Sequence, residues 1–146
     1  MIKNKLLKFK DKFDPLLKKR LRQEEQKLDK HYKKLVDEIK RITFASGKRL
    51  RPALVFWGYQ AVGGRDLEDV IKVCISLELF HTFALIHDDI MDKSIKRRGV
   101  LTTWKVMGVN QAILVGDLAL GLQVEYFPQN VDRKYWDLLK KEMAFG

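Results

Sequence analysis

The sequence predicts an all-α protein, a bundle of helices, and three observations carry that prediction. Apolar residues recur at helical spacing along most of the chain. No stretch alternates apolar and polar residues as a half-buried strand would. Residues 67–86 are apolar nearly all round, which marks a helix enclosed by other helices. With 146 residues, 46% of them hydrophobic, the chain can bury a single core.

The elements follow in order. Ile2, Leu6, Phe9 and Phe13 form a short amphipathic stripe, and Asp14 and Pro15 read as the N-cap and first residue of a second helix. Leu28, Tyr32, Leu35, Ile39 and Ile42, at 4-3-4-3 spacing, form a helical face that ends near Gly47. Pro52 opens the next helix and Gly63-Gly64 closes it. Asp66 caps a buried helix over 67–92. Residues 93–101 read as a polar loop, 111–127 as a helix stopped at Pro128, and 132–145 as an amphipathic helix. No repeat, low-complexity tract or linker divides the chain, so 1–146 reads as one domain.

Charge is unevenly placed. Residues 1–51 hold 18 Lys/Arg and 7 Asp/Glu, a net +11; the remainder holds 11 basic and 12 acidic residues, a net −1. The basicity belongs to the helices of 1–45, where it reads as the solvated face of packed helices or as a surface for acidic lipid or nucleic acid. The single cysteine, Cys74, excludes an intrachain disulfide and suits a reducing, cytoplasmic compartment. No apolar run is read as reaching the ~18 residues of a membrane span, and the lysines among residues 1–13 leave no secretory signal.

The chemistry concentrates in Glu78 to Asp92. Three acids, Asp88, Asp89 and Asp92, end the buried helix, and Arg97-Arg98-Gly99 follows. Spacings of three and four put the three carboxylates within an arc of roughly 100°. His81 shares that face two turns lower. Carboxylate oxygens suit a hard cation, and Mg²⁺ characteristically takes one or two carboxylates together with substrate phosphates. Taken alone, the acids fit a solvated helix end as well as a metal site. Likewise Lys48 and Arg51 fit solvated loop charges, His81 a core histidine, and Arg97 and Arg98 surface charges at a helix C-terminus.

Five motifs in order resemble the trans-isoprenyl diphosphate synthases, or polyprenyl synthetases: Gly47-Lys48-Arg49-Leu50-Arg51-Pro52, Glu78-x-x-His81, His87-Asp88-Asp89-Ile90-Met91-Asp92, Arg97-Arg98-Gly99 and Gly116-Asp117. The resemblance runs from about Phe44 to Asp117. It implies an antiparallel bundle of the isoprenoid synthase type. It also implies a prenyltransferase that condenses isopentenyl diphosphate with an allylic diphosphate in isoprenoid biosynthesis, commonly as a homodimer. Asp88, Asp89, Asp92 and Arg97 would be catalytic, with Asp88 and Asp92 ligating Mg²⁺ and Arg97 contacting the allylic diphosphate. Lys48, Arg51, His81 and Arg98 would hold isopentenyl diphosphate. Phe83 and Ala84 stand where bulk relates to product length, and Phe83 favours a short product such as farnesyl or geranylgeranyl diphosphate, although an ideal wheel puts Ala84 nearer the Asp88 face.

The chain also departs from the pattern. Ser46 replaces a second glycine before Lys48, Leu101 a proline and Trp104 a histidine. A second aspartate-rich motif is absent: beyond Asp92 the acids are Asp117, Glu125, Asp132, Asp137 and Glu142, no two adjacent. The chain is therefore expected to be the N-terminal half of a synthase, with 46–146 its first diphosphate- and metal-binding half, and inactive alone. The alternatives are a non-catalytic relative or partner subunit, and a basic helical module for membrane or nucleic acid. The first would lack turnover; the second would bind in a salt-sensitive manner that survives Asp88→Ala.

Overall fold

The computed structural model describes residues 2–126. In chain order the elements are α1 (Ile2–Lys27), α2 (Lys30–Ala45), α3 (Leu50–Ala61), α4 (Leu67–Met91), a hairpin of β1 (Lys96–Arg97) and β2 (Val100–Leu101), α5 (Thr103–Met107) and α6 (Val109–Glu125). The protein is an all-α bundle, with one small hairpin among the described residues. The stop expected at Pro128 and the helix expected over 132–145 lie outside the described residues.

α1 continues through Pro15, where the sequence predicts a boundary. Phe9, Phe13, Leu17 and Leu21 recur every four residues across the proline and are all buried. Each contributes about 1.5–3 kcal/mol on burial, so together they outweigh the roughly 3 kcal/mol an interior proline costs. Asp14 therefore does not cap a helix; its carboxylate is used elsewhere. The predicted second face is also corrected. Leu28 falls in the bend after α1 and Tyr32 is exposed, while Leu35, Val36, Ile39 and Ile42 are buried.

α4 is the central element and packs most extensively on α6, then on α3. Asp66 caps it as predicted, its Oδ1 accepting the N–H groups of Glu68 and Asp69 at 3.0 Å. Ile75, Leu79 and Ile86 of α4 meet Phe13, Leu17 and Leu21 of α1, Ile39 of α2 and Val115 of α6 in one core. By length and composition α4 could also cross a membrane, its apolar window having a mean hydropathy of 1.5, which corrects the reading that no run is long enough. Half of that window is buried inside the bundle, and Leu67 and Phe80 are exposed, so α4 is less fully enclosed than its all-round apolar sequence predicts. Cys74 of α4 donates its S–H to the Pro52 carbonyl at 3.2 Å, and burial pushes its pKa up to about 12.

The loop expected over 93–101 contains the hairpin, in which Lys96 pairs with Leu101 and Arg97 with Val100. Two-residue strands are too short to show alternation. The turn residues Arg98 and Gly99 have φ of 52° and 84°. Left-handed backbone at both central positions is the signature of a type I′ hairpin turn. Ser94 O accepts from Thr102 Oγ1 and from the Trp104 indole, both at 2.7 Å, which closes the base of the segment.

Candidate functional site

Four predicted residues converge. Lys48 and Arg51 at the start of α3, His81 of α4 and Arg98 of the hairpin turn line one pocket of about 320 Å³, with Ser46, Gly47, Arg49 and Glu78. The N-terminus of α3 adds unpaired N–H groups and the positive end of its dipole, so an anion is favoured there. Arg98 donates to the Ser46 carbonyl. A Cβ on Gly47 would lie 2.9 Å from Arg98 Nη1 and 3.0 Å from Arg49 Nη1, so glycine lets both guanidinium groups approach the turn.

His81 is neutral at neutral pH. Burial, then Arg51, Arg98, Arg97 and Arg49, push its pKa down to about 4. Its Nε2 lies 3.3 Å from Arg51 Nη1, and the neutral ring accepts that hydrogen bond. Burial and the neighbouring arginines also lower the Arg98 pKa. A site that depresses its own cations in this way is short of negative charge.

Arg49 forms the buried part of the pocket's lining. Its side chain is 1% exposed. Nε donates to Asp14 Oδ1 at 2.7 Å, Nη1 to Glu78 Oε1 at 2.6 Å and Nη2 to the Thr43 carbonyl at 2.8 Å. The guanidinium also sits 5.4 Å from the Phe44 ring centre. Asp14 additionally holds Lys10. Arg49 and Glu78 stand within sequence motifs that predict no role for either, and Asp14, predicted as a helix cap, is instead an ion-pair partner. The available signal is Glu78 itself: a lone acid in an apolar helix requires a buried partner.

At the far end of α4 the three acids divide. Asp88 and Asp92 are exposed, whereas Asp89 is buried, so they do not share one accessible face. Arg97 Nε donates to Asp89 Oδ1 and Oδ2 at 2.8 and 2.9 Å, and Nη2 approaches Oδ1 at 2.8 Å. Burial raises the Asp89 pKa against the pull of Arg97, and Asp88 and Asp92 add to the rise. Thus Arg97, predicted to contact a diphosphate, is oriented by Asp89 and keeps Nη1 without a partner among the described residues.

Neither Asp88 nor Asp92 has a side-chain ion pair or hydrogen bond among the described residues. They end a helix with no basic residue in its last turn, at the negative end of its dipole. Among the described residues no three His, Cys, Asp or Glu side chains form a ready metal cage. Two exposed carboxylates, four residues apart and uncompensated, fit a hard cation that completes its shell with substrate oxygens and water.

Phe83 and Ala84 are half-buried, and the Phe83 ring packs at a tilt between Phe80 and His87, at 5.8 and 4.7 Å between ring centres. Gly116 of α6 lets the His87 ring lie close: an added Cβ would fall 2.3 Å from Nε2. That nitrogen is 3.5 Å from Asp117 Oδ1, within ion-pair reach but without hydrogen-bond geometry. The Gly116-Asp117 motif thereby buttresses the residue preceding Asp88.

A second hollow, about 970 Å³, lies between α1, α3 and α4. Phe9, Phe13, Phe56, Trp57, Ile71 and Ile75 form its apolar lining, and Lys5, Lys8, Lys12 and Lys19 border it. None of the predicted site residues lines it.

Residues 32–144 match the polyprenyl synthetase family. A short chain isoprenyl diphosphate synthase of Methanocaldococcus jannaschii is 39% identical over 116 residues, which cover 75% of this chain and 35% of the relative. A geranylgeranyl diphosphate synthase of Mycobacterium tuberculosis is 49% identical over 73 residues, covering 50% of this chain and 21% of the relative. Among solved structures, a geranylgeranyl pyrophosphate synthase superposes with a TM-score of 0.77 at 32% identity, over 92% of this chain and 39% of that one. Another, from Corynebacterium glutamicum and in complex with isoprenyl diphosphate and magnesium, gives 0.69 at 29% identity, over 80% and 40%. The chain spans about a third of the length of the curated relatives it matches.

Proposed function

This chain belongs to the polyprenyl synthetase family, and from that premise we propose that its protein condenses isopentenyl diphosphate with an allylic diphosphate. The observation that carries the reading is the convergence of Lys48, Arg51, His81 and Arg98 on one pocket at a helix N-terminus. Its counterpart is the pair of uncompensated carboxylates, Asp88 and Asp92, on the same helix as His81. Seven residues separate His81 from Asp88, about 10 Å along the axis, which suits two diphosphates held side by side.

The roles follow from charge. Lys48, Arg51 and Arg98 bind the diphosphate of isopentenyl diphosphate, and neutral His81 adds a hydrogen bond without adding charge. Asp88 and Asp92 would hold Mg²⁺, which when bound would supply electrostatic stabilisation to a diphosphate leaving group. Arg97, braced by Asp89, turns its remaining donors toward that same leaving group. As the allylic C–O bond breaks, the diphosphate takes the electron pair. The isopentenyl double bond then attacks the allylic carbon, and a proton leaves to restore the alkene. The apolar flank of α4 around Phe83 shelters the cation from water. The relatives named above support a short-chain product. The exposed apolar residues Val109, Ile113, Leu114 and Val124 of α6 support a homodimer. The free, buried Cys74 suits a cytoplasmic setting.

Two measurements test this. Calorimetry with isopentenyl diphosphate and the 146-residue chain should show binding that weakens about tenfold in Lys48→Ala, as loss of one charge-assisted contact implies. Equal binding by the variant would remove the pocket assignment. Incubating the protein that carries these residues with isopentenyl and dimethylallyl diphosphates should yield a prenyl diphosphate only when Mg²⁺ is present, and Asp88→Ala should abolish it. Metal-independent product would overturn the metal assignment.

A further inference from the structure

We propose that Arg49 is the positioning residue of the anion pocket, and that Asp14 makes α1 a working part of that site. The inference rests on the pocket being an anion site and concerns residues to which that reading gives no role.

Arg49 sits between the two pocket cations of its own turn, Lys48 and Arg51, yet its side chain is buried and fully committed to protein partners. Each arm of its guanidinium has a separate anchor: α1 through Asp14, α4 through Glu78, and the end of α2 through the Thr43 carbonyl. Its backbone lies at φ 53°, left-handed, and no side chain caps α3 at that position. A bulky residue adopts that conformation only where its surroundings hold it there. Three anchored arms provide such a hold. They fix the turn whose two flanking residues must face the same anion as His81 and Arg98.

The arrangement also removes a competitor. A carboxylate at Glu78 lines the pocket and would repel a diphosphate; with Arg49 on it, that charge is spent. Lysine cannot replace Arg49, since one ammonium lacks the fork that reaches three helices at once.

The test separates position from charge. Asp14→Ala removes the α1 anchor, whereas Asp14→Asn removes the same charge but keeps an oxygen that accepts from Nε. Binding of inorganic pyrophosphate to the 146-residue chain should fall about tenfold in Asp14→Ala and return to within about threefold of wild type in Asp14→Asn, the scale of one charge-assisted hydrogen bond. His81, followed by NMR, provides a readout that needs no ligand. Loosening the turn draws Arg51 off the ring, so its titration midpoint should rise in Asp14→Ala. Loss of a negative charge acting through space alone would lower it. Arg49→Lys, which keeps the charge and loses the fork, should behave as Asp14→Ala does, and it carries the test where that variant fails to fold. Equal loss of binding in Asp14→Ala and Asp14→Asn, or a midpoint that falls or stays, overturns the proposal. Failure of wild-type chain to bind pyrophosphate would instead overturn the pocket assignment, with the His81 titration still deciding whether Arg49 positions the turn.

Discussion

Two basic regions of this molecule differ in how their charges are held. Beside the hollow between α1, α3 and α4, Lys5, Lys8, Lys12 and Lys19 have no ion-pair partner among the described residues. Around the smaller pocket, Arg49 is bound by two acids and a carbonyl, Arg51 contacts His81, and Arg98 donates to Ser46. The lysines dominate the net +11 of residues 1–51, yet the pocket holds its three arginines by contacts and leaves only Lys48 exposed and without a partner among the described residues. Fixation matters because an ordered cation has already lost the rotamer freedom that a solvated lysine would lose on binding. Density of charge marks a surface; anchorage of charge marks a site.

The largest effect should come from cutting an anchor. Glu78→Ala leaves the buried Arg49 guanidinium with one acid, and stability measured by urea unfolding should drop by about 3 kcal/mol. A loss below about 1 kcal/mol would mean the pocket's charges are no better held than the lysines. Next, Arg51→Ala should weaken pyrophosphate binding about tenfold while changing stability by less than about 0.5 kcal/mol, since the residue is exposed.

A smaller effect concerns pH. The folded pKa of His81, about 4, lies below the ordinary 6.5, so the unfolded chain binds the proton first. Stability should therefore fall as pH drops from about 6.5 to about 4, by about 1 kcal/mol once solvent screening of a half-exposed ring is allowed for. His81→Gln should flatten that slope in thermal melts across the window; an unchanged slope would assign it to other groups. The smallest effect is reserved for the lysines. Replacing Lys5, Lys8, Lys12 and Lys19 together by Gln should leave pyrophosphate affinity within about twofold, and each change within about 0.5 kcal/mol in stability. Loss of binding there would erase the distinction between the two regions.

What the sequence made legible follows from how local each signal is. The Asp66 cap and the long helix α4 are written within a few residues of themselves, and both stand, although only half of α4's apolar window is buried. The meeting of Lys48, Arg51, His81 and Arg98 is written in no local pattern; it came only through a resemblance in motif order. Three features stayed hidden for physical reasons. Asp14-Pro15 carries a strong local helix-start signal, which the burial of Phe9, Phe13, Leu17 and Leu21 overrides. The hairpin has two residues per strand, too few for a period to appear. Asp89 and Asp88 are adjacent in sequence but differ in burial, because Arg97 recruits one of them to the interior. The first and third misses are partners elsewhere in the chain outweighing a local preference; the second is an element too short to leave a pattern.

Cys74 has a practical consequence. It is the only thiol of the chain, sealed under the Pro52 carbonyl where α3 meets α4. A thiol-directed reagent has no purchase on the closed bundle, because the thiolate it needs is suppressed at neutral pH. Any label the chain acquires must be taken up while α3 stands away from α4. The rate of that uptake counts openings of the wall that carries Lys48 and Arg51, so the molecule contains its own stopwatch for the integrity of the site.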